Sequence, residues 1–270
     1  MIYYRLLLLV FLVELSYSSL AQKSSHKIEK EPRSGFVTVF YPKEEGEKVK
    51  PYYIYSYEVS VGEYQSFMNY LKKEQEYDVL AKVQPDSTKW TFEDKVPFRD
   101  YFYSKKYLNY PIVCISYEAA VKYCKWIEKL INDSKKETRL AVVRLPTNLE
   151  WVNAVYMANQ EAIYAGGNGK SLVNEKQCYL ANFKANSEIN MGVEGSLIPI
   201  SKINSFNPSM VGTYNMSGNV AEMILSKGKI KGGHWNSVEE ELKIVPANSF
   251  DEPSVFVGFR PVMYYVENPD

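Results

Sequence analysis

The stretch YNMSGNVAEMILSKGKIKGGHW, residues 214–235, contains two groups of residues that could belong to a site. Its first half places Asn215, Gly218 and Glu222 within eight residues. Its second half places His234 beside a tryptophan, directly after two glycines that would let another backbone or a ligand come close. From this pattern alone the stretch could be an active site, a metal site, or a turn followed by a strand.

Residues 1–21 have the pattern of a secretory signal peptide. Arg5 precedes an apolar run, residues 6–13, and the segment ends in Ser-Leu-Ala. The run is too short to span a bilayer, so we expect no transmembrane span in the mature chain. Position 22 is glutamine, which offers no lipoprotein cysteine. We therefore expect an exported protein, periplasmic or envelope-associated, with no lipid anchor.

Charge and composition indicate one ordinary globular domain. The chain has 32 basic and 32 acidic residues and no basic stripe, which argues against a nucleic-acid partner. Residues 22–34 are polar and aperiodic and predict a flexible lead-in. Residues 35–266 then predict a single domain, and residues 267–270 a short tail.

Cys114, Cys124 and Cys178 are the three cysteines of the chain. An odd number in an exported protein leaves at least one thiol free or paired between molecules. Their spacing forms neither a CxxC motif nor a Cys/His cluster. We interpret them as buried apolar thiols, the commonest state of free cysteine.

Three helices are predicted from their first turns. Ser60 and Glu63 form one capping-box pattern, and Thr147 and Glu150 form another. Ser116 could cap the third helix. Short runs rich in aromatic and β-branched residues predict strands. These runs are FVTVFYP, YYIYSYEV, LAVVRL, IKGGHW and VFVGFRPVMYY. After about residue 162 the chain becomes rich in Gly, Asn, Ser and Pro, and a loop region this long commonly needs support such as a metal ion.

Six segments resemble, in order, the sulfatase-modifying-factor family, also called the formylglycine-generating-enzyme domain. They are YEVSVGEYQSF, YPIVCISYEAAVKYCKW, VRLPTNLEWVNA, YNMSGNVAE, KGGHW and VGFRPV, and they extend from about residue 53 to 262. The resemblance implies an α+β fold, the formylglycine-generating-enzyme variant of the C-type lectin fold. Such a fold has short helices, twisted antiparallel strands and much irregular chain.

A narrower resemblance lies in residues 85–113, which read PDSTKW and then YFYSKKYLNYPIV around a short spacer. These segments are similar to the gliding-motility and type IX secretion proteins of Bacteroidetes, the GldK/PorK and GldJ group. The similarity implies that this protein binds other envelope proteins. That group usually has a lipoprotein cysteine, from which this sequence departs.

The resemblance also lets the catalytic residues of the family be compared with the residues of this chain. The oxidases of the family use two cysteines five apart, just after the GG-x-[WY] segment, to bind copper. Ser237 and Leu242 stand at those positions here. A related branch holds iron with three histidines, but this chain has only His26 and His234. We therefore expect a pseudoenzyme with neither copper nor iron. A hydrolase built on His234 and Ser237 lacks a supporting motif.

Calcium is the cofactor that the resemblance leaves open. Asn215, Gly218, Val220 and Glu222 match the residues that hold a structural calcium ion in the family, and they could supply four oxygen ligands. Without the resemblance the same residues read as a turn followed by a strand. The matching positions for a second calcium site are Asn182, Phe183, Glu194 and Ser196, where the loop is shorter and glutamate replaces aspartate.

The motifs RLPT-x-x-E and GFR contain the charged residues Arg144, Glu150 and Arg260. We expect these side chains to pair or hydrogen-bond in the interior, because a buried charge needs partners, and we expect their role to be structural. The leading hypothesis for function is a non-catalytic exported module that binds other proteins in a gliding-motility or type IX secretion assembly. A lectin-like ligand binder that uses the loops of residues 166–209 is the alternative. A formylglycine-generating-type oxidase is a further one.

Overall fold

Short strands pair into two four-stranded sheets in the computed structural model. The structure describes residues 35–40, 51–134, 139–156, 161–165, 169–185, 197–244 and 247–267. The predicted signal peptide (1–21) and lead-in (22–34) lie outside these residues. Residues Ser34–Asp270 form one compact unit.

The first sheet joins the two ends of the domain. Its order is β1 (Phe36–Val39), β2 (Tyr52–Tyr55), β8 (Val262–Glu267) and β3 (Arg139–Arg144), and every neighbouring pair is antiparallel. Met263 lies opposite Tyr53 on one side and opposite Val143 on the other. The last strand is therefore central in this sheet and receives bonds from both neighbours.

The second sheet carries the stretch quoted at the outset. Its order is β6 (Asn248–Ser249), β5 (Lys229–Lys231), β4 (Ala221–Met223) and β7 (Val257–Phe259). β4 and β7 are parallel, and the other pairs are antiparallel. Glu222 lies opposite Lys231 across the β4–β5 pair.

The prediction of one strand over VFVGFRPVMYY was wrong. The segment divides into β7 and β8, which belong to different sheets. The division falls at Arg260 and Pro261, because Pro261 has no N–H to continue a ladder and the side chain of Arg260 is turned into the interior. The carbonyl of Pro261 accepts from the N–H of Tyr55 at 2.9 Å, which starts the pairing in the first sheet.

Five α-helices lie in the described part of the chain. They are α1 (Val61–Lys73), α2 (Tyr77–Lys82), α3 (Phe98–Tyr103), α4 (Tyr117–Asp133) and α5 (Asn148–Tyr156). Short 3₁₀ turns cover Ser87–Lys89, Lys105–Tyr107 and Glu239–Leu242. The three predicted helices α1, α4 and α5 are confirmed with their caps at Ser60, Ser116 and Thr147. Sequence periodicity missed α2 and α3, which have six residues each.

An aromatic core joins α1 to α4. The ring of Tyr64 stacks on Tyr123 at 6.0 Å, and Phe67 meets Tyr123 edge to face at 5.7 Å. A second buried cluster surrounds Trp151 of α5 and contacts the first sheet through Tyr52 and Ile54. In the described residues no helix is long and apolar enough to cross a membrane.

The interpretation of all three cysteines as buried was right for two of them. Cys114 and Cys124 are buried, whereas Cys178 is exposed, and none forms a disulfide. Cys178 lies in a tight turn, which is closed by Asn174 Oδ1 accepting its backbone N–H at 2.9 Å.

Candidate functional site

The segment NMSGNVAE begins as a strained turn directly before β4, an inner strand of the second sheet. Asn215, Gly218 and Asn219 all have positive φ, at 52°, 81° and 62°. A Cβ on Gly218 would lie 2.2 Å from the carbonyl oxygen of Asn182. Only glycine can therefore occupy this position, and its close approach lets the N–H of Asn219 donate to the same carbonyl at 2.7 Å.

Glu222 lies beneath this turn with its carboxylate held by donors. Arg260 donates to it from Nε at 2.7 Å and from Nη2 at 2.6 Å, and the indole N–H of Trp151 donates at 2.7 Å. Glu222 is 1% exposed and Arg260 is fully buried. Bidentate pairing balances the charge of Glu222 in a place where an isolated carboxylate would be costly.

Arg260 also binds three backbone carbonyls. Nη1 donates to the carbonyls of Tyr55 and Ser56, each at 2.9 Å, and Nη2 donates to that of Tyr214 at 2.6 Å. Its planar group of five donors suits this arrangement, since the acceptors come from three chain segments: residues 55–56, Tyr214 and Glu222. One side chain thus connects the end of β2, the turn and strand β4.

Glu58 is a second buried carboxylate beside the turn, and sequence reasoning did not single it out. It accepts from Asn219 Nδ2 at 2.9 Å and from Asn215 Nδ2 at 3.1 Å. No basic side chain of the described residues forms an ion pair with it. Burial raises the pKa of Glu58 to about 8, although Arg260 opposes the shift. The only sequence signal was an acidic residue inside the aromatic run YYIYSYEV.

Asn182 extends the cluster toward the long loop region. Its Nδ2 donates to the carbonyl of Pro199 at 2.8 Å and to Asn219 Oδ1 at 3.2 Å. The structure therefore brings one residue of the second predicted calcium site against the first. Phe183 is buried nearby in sequence, and Glu194 and Ser196 lie outside the described residues.

The predicted calcium ligands fit calcium in part. Asn215 Oδ1 is buried without a hydrogen-bond partner, and Asn215 lines a cavity of about 10 Å³, room for one water or ion. Val220 is fully buried. Glu222 fits less well, because Arg260 and Trp151 already occupy both of its oxygens. No group of three or more His, Cys, Asp or Glu side chains in the described residues is arranged to hold a metal.

The segment after the two glycines packs as a closed turn. Ser237 Oγ accepts the backbone N–H of His234 at 3.1 Å, and His234 Nδ1 accepts the backbone N–H of Asn236 at 3.2 Å. The imidazole packs on Phe256 with ring centroids 4.4 Å apart, closer than its sequence neighbour Trp235 at 6.4 Å. Burial lowers the pKa of His234 to about 4. The contact between His234 and Ser237 is through the backbone, so it does not form a nucleophile and base pair.

Arg144 and Glu150, which were expected to need partners, pair with each other. Two hydrogen bonds of 2.7 and 2.8 Å join the guanidinium to the carboxylate, which is 2% exposed. The same carboxylate accepts the N–H of Thr147 at 2.8 Å and so completes the cap of α5. These charges orient the helix that supplies Trp151 to the cluster.

Comparison with known proteins agrees with this fold and these motifs. The chain belongs to the family of the sulfatase-modifying factor enzyme 1-like domain, whose model matches residues 22–264. A formylglycine-generating enzyme from Thermomonospora curvata is 29% identical over 116 residues. That match covers 42% of the chain and 32% of the enzyme, so the chain spans about a third of its relative's length.

Solved structures show the same fold at low identity. The crystal structure of CarF has a TM-score of 0.56 at 20% identity, covering 85% of this chain and 97% of CarF. Variable protein 1 of Treponema denticola has a TM-score of 0.53 at 14% identity, covering 87% of this chain and 92% of that protein. PvdO from Pseudomonas aeruginosa has a TM-score of 0.51 at 19% identity, covering 85% of this chain and 91% of PvdO. The predicted α+β fold, the formylglycine-generating-enzyme variant of the C-type lectin fold, is confirmed.

Replacement of Arg260 by alanine is expected to lower the free energy of unfolding by about 3–5 kcal/mol, because Glu222 would remain buried without its partner. Urea unfolding followed by circular dichroism measures the loss. Arg99→Ala, at an exposed position of α3, is the matched control and should change stability by about 0.5 kcal/mol or less. An unchanged melting temperature for Arg260→Ala would contradict the structural role.

His234→Gln is expected to change how stability depends on pH. The folded pKa of about 4 lies below the ordinary 6.5, so the unfolded chain binds a proton first as the pH falls. His234 therefore reduces stability progressively from pH 6.5 to 4, by at most about 1.4 kcal/mol per pH unit. Urea unfolding at pH 6.5, 5.5 and 4.5 should show this loss in the wild type and a smaller one in the variant. His26 is present in both proteins, so its titration cancels. Equal pH slopes would refute the prediction.

Proposed function

We propose that this protein is a non-catalytic, exported interaction module of the cell envelope. It would act as a component or accessory of a gliding-motility or type IX secretion assembly. A relative of the chain is a formylglycine-generating enzyme, whereas the role proposed for this chain is binding. The observation that carries it is the state of the two positions where the oxidases of the family have their thiols.

Both positions are filled by side chains that pack in the interior. Ser237 is 1% exposed and its hydroxyl accepts the N–H of His234. Leu242 is fully buried in a small cluster with Tyr164, Leu172, Ala181 and Phe183. A hydroxyl and an isobutyl group cannot form the paired thiolates that bind Cu(I). Ser237 and Leu242 therefore stabilise the fold by packing, and they cannot carry out the copper redox chemistry of the oxidases.

The cysteines that the chain does contain give no substitute pair. Burial raises the pKa of the Cys114 thiol to about 12 and raises that of Cys124 as well. A thiol is a poor metal ligand or nucleophile when its thiolate is disfavoured in this way. Cys178 is exposed but lies on a separate surface turn.

The narrower resemblance in residues 85–113 supports the envelope assembly. This region contributes α3, two 3₁₀ turns and an aromatic group in which Trp90 lies 4.5 Å from Tyr101, and Tyr101 lies 5.3 Å from Tyr107. It is therefore an integral part of the domain.

Affinity purification from an envelope fraction tests the proposed role. We expect the tagged protein to recover gliding or secretion components in near-stoichiometric amounts, and an excess of the untagged protein should displace them. Tag alone is the second control. Recovery of no such component would contradict the assignment to the assembly.

A separate assay tests the absence of catalysis. The wild-type protein, incubated with Cu(I) and a cysteine-containing peptide, should leave the thiol unoxidised by mass spectrometry. Ser237→Cys with Leu242→Cys restores the spacing of five and should raise Cu(I) affinity in competition with a chromogenic chelator. Copper-dependent peptide oxidation by the wild type would overturn the non-catalytic proposal.

The proposal includes a structural calcium ion at the buried cluster. Asn215 Oδ1 lacks a donor, and Asn215 lines a space of ionic size. Glu58 lies in contact with Asn215 and has no basic partner among the described residues, so a cation would offset its burial. The carbonyls of Gly218 and Val220 belong to the set implied by the family, whereas the oxygens of Glu222 are held by Arg260 and Trp151. With so few charges the affinity would fall in the weak extracellular range, on the order of 10⁻⁴–10⁻³ M.

Calcium at millimolar concentration is therefore expected to raise the melting temperature, and magnesium at equal concentration should raise it less. Asn215→Ala should abolish the calcium-dependent increase because it removes the unpaired amide oxygen. Asn236→Ala, an exposed amide outside the cluster, should retain it. Differential scanning calorimetry with and without calcium measures both. No calcium effect on the wild type would remove this part of the proposal.

A further inference from the structure

A groove on the helical face of the domain, far in sequence from the buried cluster, has the form of a ligand site. Residues of α1, α2 and α3 line it, and its volume of about 350 Å³ falls in the range of small-molecule pockets. Gln65 of α1 donates to the carbonyl of Phe102 in α3 and so fixes two of its walls. Met68 and Leu80 form apolar lining continuous with the main core.

Two tyrosines give the groove its exposed aromatic surface. Among the tyrosines of the described residues, Tyr77 and Tyr103 are the exposed ones, at 58% and 65%, and both line this groove. Tyr103 is held in place by Phe102, whose ring lies edge-on at 4.9 Å. Neither hydroxyl has a hydrogen-bond partner in the described chain. Exposed aromatic rings gathered in one concavity typically mark a binding surface.

Side-chain amides supply the polar lining. Asn69 and Gln84 line the groove, are exposed, and make no side-chain hydrogen bond within the described residues. Each amide offers two donors and an acceptor. This combination suits adjacent hydroxyl groups, which donate and accept at neighbouring carbons. A sugar ring has such hydroxyls at its rim and an apolar C–H face that a tyrosine ring can cover.

The charge of the groove is positive. Lys72 is the one charged residue that lines it, no carboxylate does, and Lys72 has no ion-pair partner in the described chain. An anionic group on the ligand would complement this ammonium. A peptide ligand would instead be expected to extend along a longer apolar track than these two rings provide.

We propose that this groove binds an acidic saccharide, a sugar ring that carries a carboxylate. Tyr77 and Tyr103 would cover the ring faces, Asn69 and Gln84 would bind the hydroxyls, and Lys72 would pair with the carboxylate. The site is separate from the thiol positions and from the buried cluster. It goes beyond the proposed role in a protein assembly, and it can hold whether or not that assembly is correct.

Titration calorimetry with the purified protein tests the proposal, with tetragalacturonate and its methyl ester as probes. We expect the acid to bind at least tenfold more tightly than the ester, in which each carboxylate is replaced by an uncharged methyl ester. Tyr103→Ala and Tyr77→Ala should each weaken binding of the acid by tenfold or more. Both positions are exposed, so circular dichroism and the melting temperature should be unchanged.

The role of the charge has a matched control on the same helix. Lys72→Gln should reduce the preference for the acid over the ester to less than threefold. Lys73→Gln removes the adjacent exposed lysine, which does not line the groove, and should leave the preference intact. Equal binding of acid and ester by the wild type, or no binding of either, would overturn the proposal. Binding of a proline-rich peptide in place of both saccharides would also overturn it.

Discussion

The guanidinium of Arg260 connects segments of this domain that are far apart in the sequence. It pairs with Glu222 in β4 and binds carbonyls at the end of β2 and at Tyr214. Arg260 itself stands between β7 and β8, where the chain passes from one sheet to the other. Because the group is fully buried, every donor needs an acceptor, and the acceptors can be present only when both sheets are correctly placed. The two sheets therefore pack correctly only when the hydrogen bonds of this buried guanidinium are satisfied, and the reverse is also true.

The same cluster explains why the turn around Gly218 is so restricted. Asn219 binds Glu58, Ser201 and Asn182 with one side chain and its backbone N–H, so its position leaves little freedom. Networks of this kind are stable only when every member is satisfied. Asn215 Oδ1 is the exception among these amides, which makes it the place where an ion would add a partner.

Local features of this fold were readable from the sequence, and long-range ones were not. The caps at Ser60, Ser116 and Thr147 depend on residues three positions away, so their patterns predicted α1, α4 and α5. The division between β7 and β8 depends on the partners of Arg260, which lie 38 to 205 residues away. Glu58 was missed for the same reason, since its amide partners are 157 and 161 residues distant. α2 and α3 are too short to show a period, although together with α1 they form the walls of the groove.

The position of β8 between β2 and β3 has a consequence for the kinetics of folding. Tyr53 can pair with Met263 only after the chain has supplied more than two hundred residues between them. Contacts of such high sequence separation require a large loss of chain entropy before they stabilise anything. While residues 262–267 are still in the ribosome, the edges of β2 and β3 that face each other are therefore unpaired, and the first sheet stays open at its centre until the final strand arrives. Folding is expected to be slow and to depend on the last few residues of the domain.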